Sequence, residues 1–151
     1  MISSEAGERI IHSSVYGELK PQEHQLYQMT KAMVGFQSIR NYALIPYEDT
    51  PFFIFHATDE DVSFIMLPAT HVDNYTIKLD QATVAELQLT APEDVTTMLI
   101  VNLNQEEVSV NLRAPVLLAP HSRKACQYII HNQELPIRHV LGQGGDDDAR
   151  T

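Results

Sequence analysis

Apolar positions in this chain fall in short runs, some alternating with polar residues and some unbroken, with turn-forming clusters between them. That is the spacing of β-strands, not the three-and-four spacing of long amphipathic helices. Residues 41–46 (NYALIP), 52–57 (FFIFHA) and 63–67 (SFIML) are three such runs, punctuated by YEDTP, TDEDV and PATHVDN. They predict three strands in series. Residues 75–79 alternate strictly, with Tyr75, Ile77 and Leu79 on one face and Thr76 and Lys78 on the other, so a half-buried strand is expected there. Asp80 then stands at an N-cap position before QATVAELQL, where Val84, Leu87 and Ala85, Leu89 recur at helical spacing and predict a short helix to about Leu89.

The second half returns to strands. Residues 97–103 (TMLIVNL) are nearly all apolar, as expected of a strand buried on both faces, and LNQEE joins them to 108–112, where Val108, Val110 and Leu112 share a face. That pair predicts a hairpin. Residues 116–119, bounded by Pro115 and Pro120, and 126–131 (CQYIIH) predict two more strands. Many short strands with few crossover helices predict a mainly β fold, an antiparallel barrel-like or roll domain with one or two short helices. The expected organisation is a flexible extension over residues 1–12, one domain over 13–141 and a disordered acidic tail over 142–151 (GQGGDDDART).

Composition narrows the function. The chain has 151 residues and a single cysteine, Cys126, so no internal disulfide can form and a reducing compartment is expected. No long apolar run and no basic leader is present, which predicts a cytoplasmic protein without a membrane partner. Twenty acidic residues against ten basic ones give a net charge of -10, the wrong sign for holding a phosphate backbone, so no direct nucleic-acid partner is expected. The charge is uneven. Residues 41–110 carry Lys78 alone against twelve acids, a net of -11, while residues 111–145 carry four basic residues against Glu134, a net of +3. A solubilising surface and a docking face for a basic partner both fit that window.

Candidate chemistry is sparse. His56, Asp59 and Asp61 are ligand types for a divalent metal, but their spacing matches no metal loop and acidic residues are common in turns. Cys126 and His131 fall on opposite faces if 126–131 is a strand, which excludes a nucleophile–base pair. No nucleotide, hydrolase or zinc signature appears, and no cofactor is expected. The aromatic run Phe52, Phe53, Phe55 with Phe64 sits in the acidic window and reads as core packing, not as a platform for bases.

The order of motifs resembles the flagellar assembly factor FliW family. The resemblance runs through MVGF (33–36), IPYEDTPFFIF, SFIMLPA, TAPEDVTTMLIVNL, VSVNLRAPVLL (108–118), CQYII and IRHVL, and covers roughly residues 13–141. The string Asn111, Leu112, Ala114, Pro115 is its most specific part. Ala32 and Val34 stand where the family has a glycine and a proline before Gly35 and Phe36, a departure expected to reshape that turn. The resemblance implies a non-enzymatic cytoplasmic protein with two competing protein partners. One is the translational regulator CsrA, a small basic dimer whose RNA binding would be antagonised; the other is flagellin, so that flagellin synthesis follows filament assembly.

The acidic turns around an apolar anchor are the expected contact surface: Glu48, Asp49, Pro51 and Phe53, then Asp59, Glu60 and Asp61, with Asn111 and Pro115 as second choices from the family motif. Two competing readings are a β-barrel taking a small ligand or metal through His56, Asp59 and Asp61, and a purely structural chaperone for flagellin.

Overall fold

The computed structural model describes residues 9–104, 107–132 and 134–141. Its strands begin with β1 (Ile11–Ser13), β2 (Gly17–Leu19), β3 (Leu26–Lys31), β4 (Asn41–Pro46), β5 (Phe53–Ala57) and β6 (Ser63–Pro68). After these come β7 (Thr96–Leu103), β8 (Val108–Val110), β9 (Val116–Ala119), β10 (Lys124–Gln127) and β11 (His139–Val140). Among the described residues one α-helix is present, α1 (Gln81–Glu86), with three single 3-10 turns.

Strands β3 to β7 form an antiparallel meander. The start of β7 also pairs with β9, β9 pairs with β10, and β10 lies parallel to β3, which closes a barrel of seven strands. Its lumen is the set of alternate side chains that face one way. Tyr27, Met29, Tyr42, Phe55, Ala57, Met66, Met98, Val116, Leu118 and Ala125 are buried together there. Tyr42 stacks on Phe55 with ring centroids 4.5 Å apart. Met33 and Ile39 from the loop after β3 join this core, so that loop stops one mouth of the barrel. Strand β8 pairs with the far end of β7, and β11 with β8.

Much of the outer wall is covered too. Leu67, Leu99, Val101 and Val110 lie under Val72, Tyr75, Leu135 and Leu141, and Leu117, Ala119 and Cys126 lie under Leu87, Ile77 and Leu89. Ile54 and His56 alternate with the lumen residues of β5, so they face outward, yet they are fully buried. The β1–β2 hairpin is bonded to this side of the barrel: the Ser14 N–H donates to the Asp61 carboxylate, and Tyr16 packs on Tyr47.

The runs at 41–46, 52–57, 63–67, 97–103 and 116–119 are strands to within a residue, and 97–103 forms the expected hairpin with 108–110. Asp80 caps α1 as expected, accepting the Thr83 N–H at 2.7 Å. Three expectations need correction. Residues 75–79 keep their alternation of burial but join no ladder, because the wall they pack against is already paired; they are held by Tyr75 Oη donating to Leu112 O and Tyr128 Oη donating to Lys78 O. The strand expected at 126–131 lies at 124–127, and the chain beyond it stays extended to residue 130, bonded to residues 113–115. Strand β7 is not buried throughout, since Leu103 is well exposed where β7 runs past the barrel.

Strands β1, β2, β3 and β11 add to those expected. Ile11 is buried in β1, so the folded body begins inside the segment expected to be a flexible extension. Residues 1–8 and the acidic tail 142–151 lie outside the described residues.

Candidate functional site

The two acidic turns flank β5, one before it and one after it, and about 13 Å of strand separates them at roughly 3.3 Å per residue. They therefore sit at opposite ends of β5, bridged by the hairpin tip, whose Ser14 bonds Asp61 and whose Tyr16 meets Tyr47.

The turn after β5 is occupied internally. Asp59 pairs with Arg9 at 3.8 Å and accepts the Thr58 hydroxyl, and both oxygens of Asp61 accept the Ser14 N–H, at 3.1 and 3.3 Å. The Ser14 hydrogen bond, helped by nearby His56, holds the Asp61 carboxyl below the ordinary aspartate value. His56 donates from Nδ1 to Ala57 O at 2.8 Å, and that contact fixes the proton on Nδ1. Its Nε2 faces Asp61 at 3.7 Å. These two aspartates fasten the N-terminal segment to the barrel, which leaves Glu60 as the one carboxylate of this turn without a partner among the described residues. No group of three or more metal-ligating side chains is placed to hold an ion among the described residues, so His56, Asp59 and Asp61 do not make the metal site that their types allow.

The turn before β5 is different. The Thr50 hydroxyl donates to Tyr47 O at 2.7 Å and accepts the Phe52 N–H at 3.1 Å, while Tyr47 N–H donates to Phe52 O. Asp49 adopts the left-handed conformation at φ 61°, which an aspartate tolerates better than most side chains. Backbone and Thr50 thus set the turn without using its carboxylates. Glu48 and Asp49 are exposed and have no ion-pair or hydrogen-bond partner among the described residues, and Pro51 is exposed beside them.

Phe53 does not serve as the anchor expected of it. It turns inward, opposite Pro46 and Met66, and packs on the barrel core. The aromatic surface beside Glu48 and Asp49 is Tyr47, 46 % exposed, whose ring meets Tyr16 edge to face with centroids 5.9 Å apart. Val15, next to Tyr16 at the hairpin tip, is 71 % exposed. Val15, Tyr16 and Tyr47 were missed in the sequence because two of them come from a hairpin whose strands are too short and polar to see. An uninterrupted aromatic–acid string, YED, was the available signal for Tyr47. Asn111 Oδ1 accepts the Arg113 N–H at 2.8 Å and so ties its own turn. Pro115 is buried, with its carbonyl accepting the Tyr128 N–H.

The same division runs through the whole acidic window. Asp59, Asp61, Asp80, Glu86, Asp94 and Glu107 each have an internal partner. Glu48, Asp49, Glu60, Asp73 and Glu93 have none among the described residues, and Glu106 lies outside them. Glu48 and Asp49 are the one adjacent pair of these unpaired acids.

The fold and this surface define a small closed β-barrel whose exposed chemistry is carboxylate and tyrosine. The family model described as FliW protein matches residues 10–141, and the chain belongs to that family. A flagellar assembly factor FliW of Syntrophus aciditrophicus is 30 % identical over 87 % of this chain and 86 % of its own. One of Bacillus velezensis is 29 % identical over 89 % and 98 %, and one of Caldicellulosiruptor bescii 25 % identical over 93 % and 95 %. A crystal structure of the flagellar assembly factor FliW superposes with a TM-score of 0.79 at 26 % identity, covering 87 % of this chain and 96 % of the other.

Proposed function

We propose that this protein is a non-enzymatic flagellar assembly factor that acts in the cytoplasm, binds a CsrA-type translational regulator and weakens its hold on RNA, with flagellin as the competing partner. Membership of the FliW family and the names of the relatives support the flagellar role. The partners follow from the family resemblance, and the observation that carries the binding mode is the turn at residues 47–51. An exposed tyrosine is a residue type favoured as an interface anchor, and two unpaired carboxylates beside it supply a charged rim. A basic partner is drawn to such a turn over a screening length of about 8 Å at physiological salt, and the rest of the acidic body repels RNA approaching the same partner. To weaken RNA binding a hundredfold, the protein must prefer the RNA-free regulator by about 2.7 kcal/mol.

Among the described residues no helix is long and apolar enough to cross a membrane, which is compatible with this role. The test is a mobility-shift titration of the protein into a preformed complex of CsrA and RNA. Release of RNA at micromolar protein, reversed by added flagellin, is expected. An intact complex throughout the titration contradicts the proposal.

A further inference from the structure

Four of the segments that carry the family resemblance, MVGF, VSVNLRAPVLL, CQYII and IRHVL, meet at one place on the surface, the first from more than 70 residues upstream of the others. Val34, Asn111, Arg113, Ile129, His131 and Ile137, one or two from or just beyond each segment, line an open groove of about 380 Å³. Three of its apolar residues are strongly exposed for their type: Val34 by 66 %, Ile137 by 57 % and Ile129 by 45 %. The groove is nevertheless firmly built. Buried Gln127 accepts the Val34 N–H on Oε1 at 2.6 Å and donates from Nε2 to Ala114 O at 3.3 Å, pinning two of its walls together.

An open sheet edge runs along it. Past the end of β10 the chain stays beside residues 113–115, with Tyr128 N–H donating to Pro115 O and Ile130 N–H to Arg113 O. The amide between them, Ile129 N–H, points the other way by the alternation of an extended chain and has no hydrogen-bond partner among the described residues. Strand β3, the neighbour on that side, has already ended at Lys31. Unpaired edge amides beside apolar side chains accept an added strand. The charge here is also inverted. No carboxylate lines the groove, while Arg113, whose Nε donates to Leu135 O, and His131 do.

We propose that this groove is a second docking site, which takes an extended segment of a partner protein with apolar side chains flanked by carboxylates, added as a strand along Ile129. The apolar side chains lie on Val34, Ile129 and Ile137, and the carboxylates face the Arg113 and His131 side. The site is distinct from the 47–51 turn and has the opposite charge preference, so it stands whether or not that turn binds a basic partner.

The test uses the full chain and two capped, fluorescein-labelled peptides, EEVTVTVEE and KKVTVTVKK, followed by fluorescence anisotropy and amide hydrogen exchange. The acidic peptide is expected to bind saturably and at least about tenfold more tightly than the lysine peptide, and to slow exchange of the Ile129 amide by a similar factor. Val34→Asp and Ile129→Asp, both at exposed side chains, are each expected to weaken binding by at least about tenfold with the thermal midpoint unchanged, whereas the E48K/D49K variant binds as the parent does. Absence of saturable binding up to about 1 mM, equal affinity for the two peptides, or an Ile129 amide whose exchange does not change overturns the proposal.

Discussion

Tyr16 and Tyr47 meet edge to face, with ring centroids 5.9 Å apart and planes at 74°, and this contact joins the hairpin tip to the acidic turn. It holds an exposed aromatic ring still beside two unpaired carboxylates, which lowers the ordering cost when a partner docks. Tyr47→Ala is expected to weaken binding of the regulator by about 2 kcal/mol, roughly thirtyfold, with little change in the thermal midpoint. Calorimetric titration of parent and variant measures it.

Asp61 links the acid stability of the domain to the same hairpin. Its carboxyl is held below the ordinary aspartate range, chiefly by the Ser14 hydrogen bond, and those of Asp80 and Asp94 are lowered by their bonds to Thr83 and to Thr90 and Ala91. A depressed folded-state value contributes stability that is complete above the unfolded value and is lost as the pH falls through the folded one. The domain is therefore expected to lose stability progressively below about pH 4. Asp61→Asn should be less stable than the parent at pH 7 and show a shallower loss in acid. The Ser14 amide, followed by hydrogen exchange, should open before the barrel amides.

Phe55 is fully buried in the lumen against Tyr42, so Phe55→Ala leaves a cavity that the closed sheet cannot collapse around. A cost of about 3–5 kcal/mol is expected, or a fall in Tm of roughly 9–15 °C at about 3 °C per kcal/mol. Thermal denaturation followed by circular dichroism checks it.

Cys126 is buried under the segment that contains Leu87, and burial pushes its thiol up to about 11. At pH 7.5 the native protein should resist iodoacetamide for hours and react within minutes once unfolded in guanidinium, with mass spectrometry counting the adducts.

The barrel was legible where strands bury apolar residues in nearly unbroken runs, as in β4, β5, β6, β7 and β9. It was not legible where pairing rather than composition makes the strand. Strand β3 contributes Tyr27 and Met29 to the lumen but hides them among Gln28, Thr30 and Lys31, and β11 is two residues long. The site divides the same way. Glu48, Asp49, Asp59 and Asp61 are equivalent in sequence, each an acid in a turn next to β5. What separates them is the hairpin that reaches Asp61 from 47 residues upstream, and no local pattern encodes that contact.

Stopped-flow association with CsrA over a range of salt concentrations reads out whether the unpaired acids of the 47–51 turn draw in a basic partner. For the parent chain the rate should fall steeply with added salt; for E48K/D49K it should be at least about tenfold slower at low salt and nearly flat. Equal rates and equal salt slopes for the two proteins would exclude a steering role for Glu48 and Asp49.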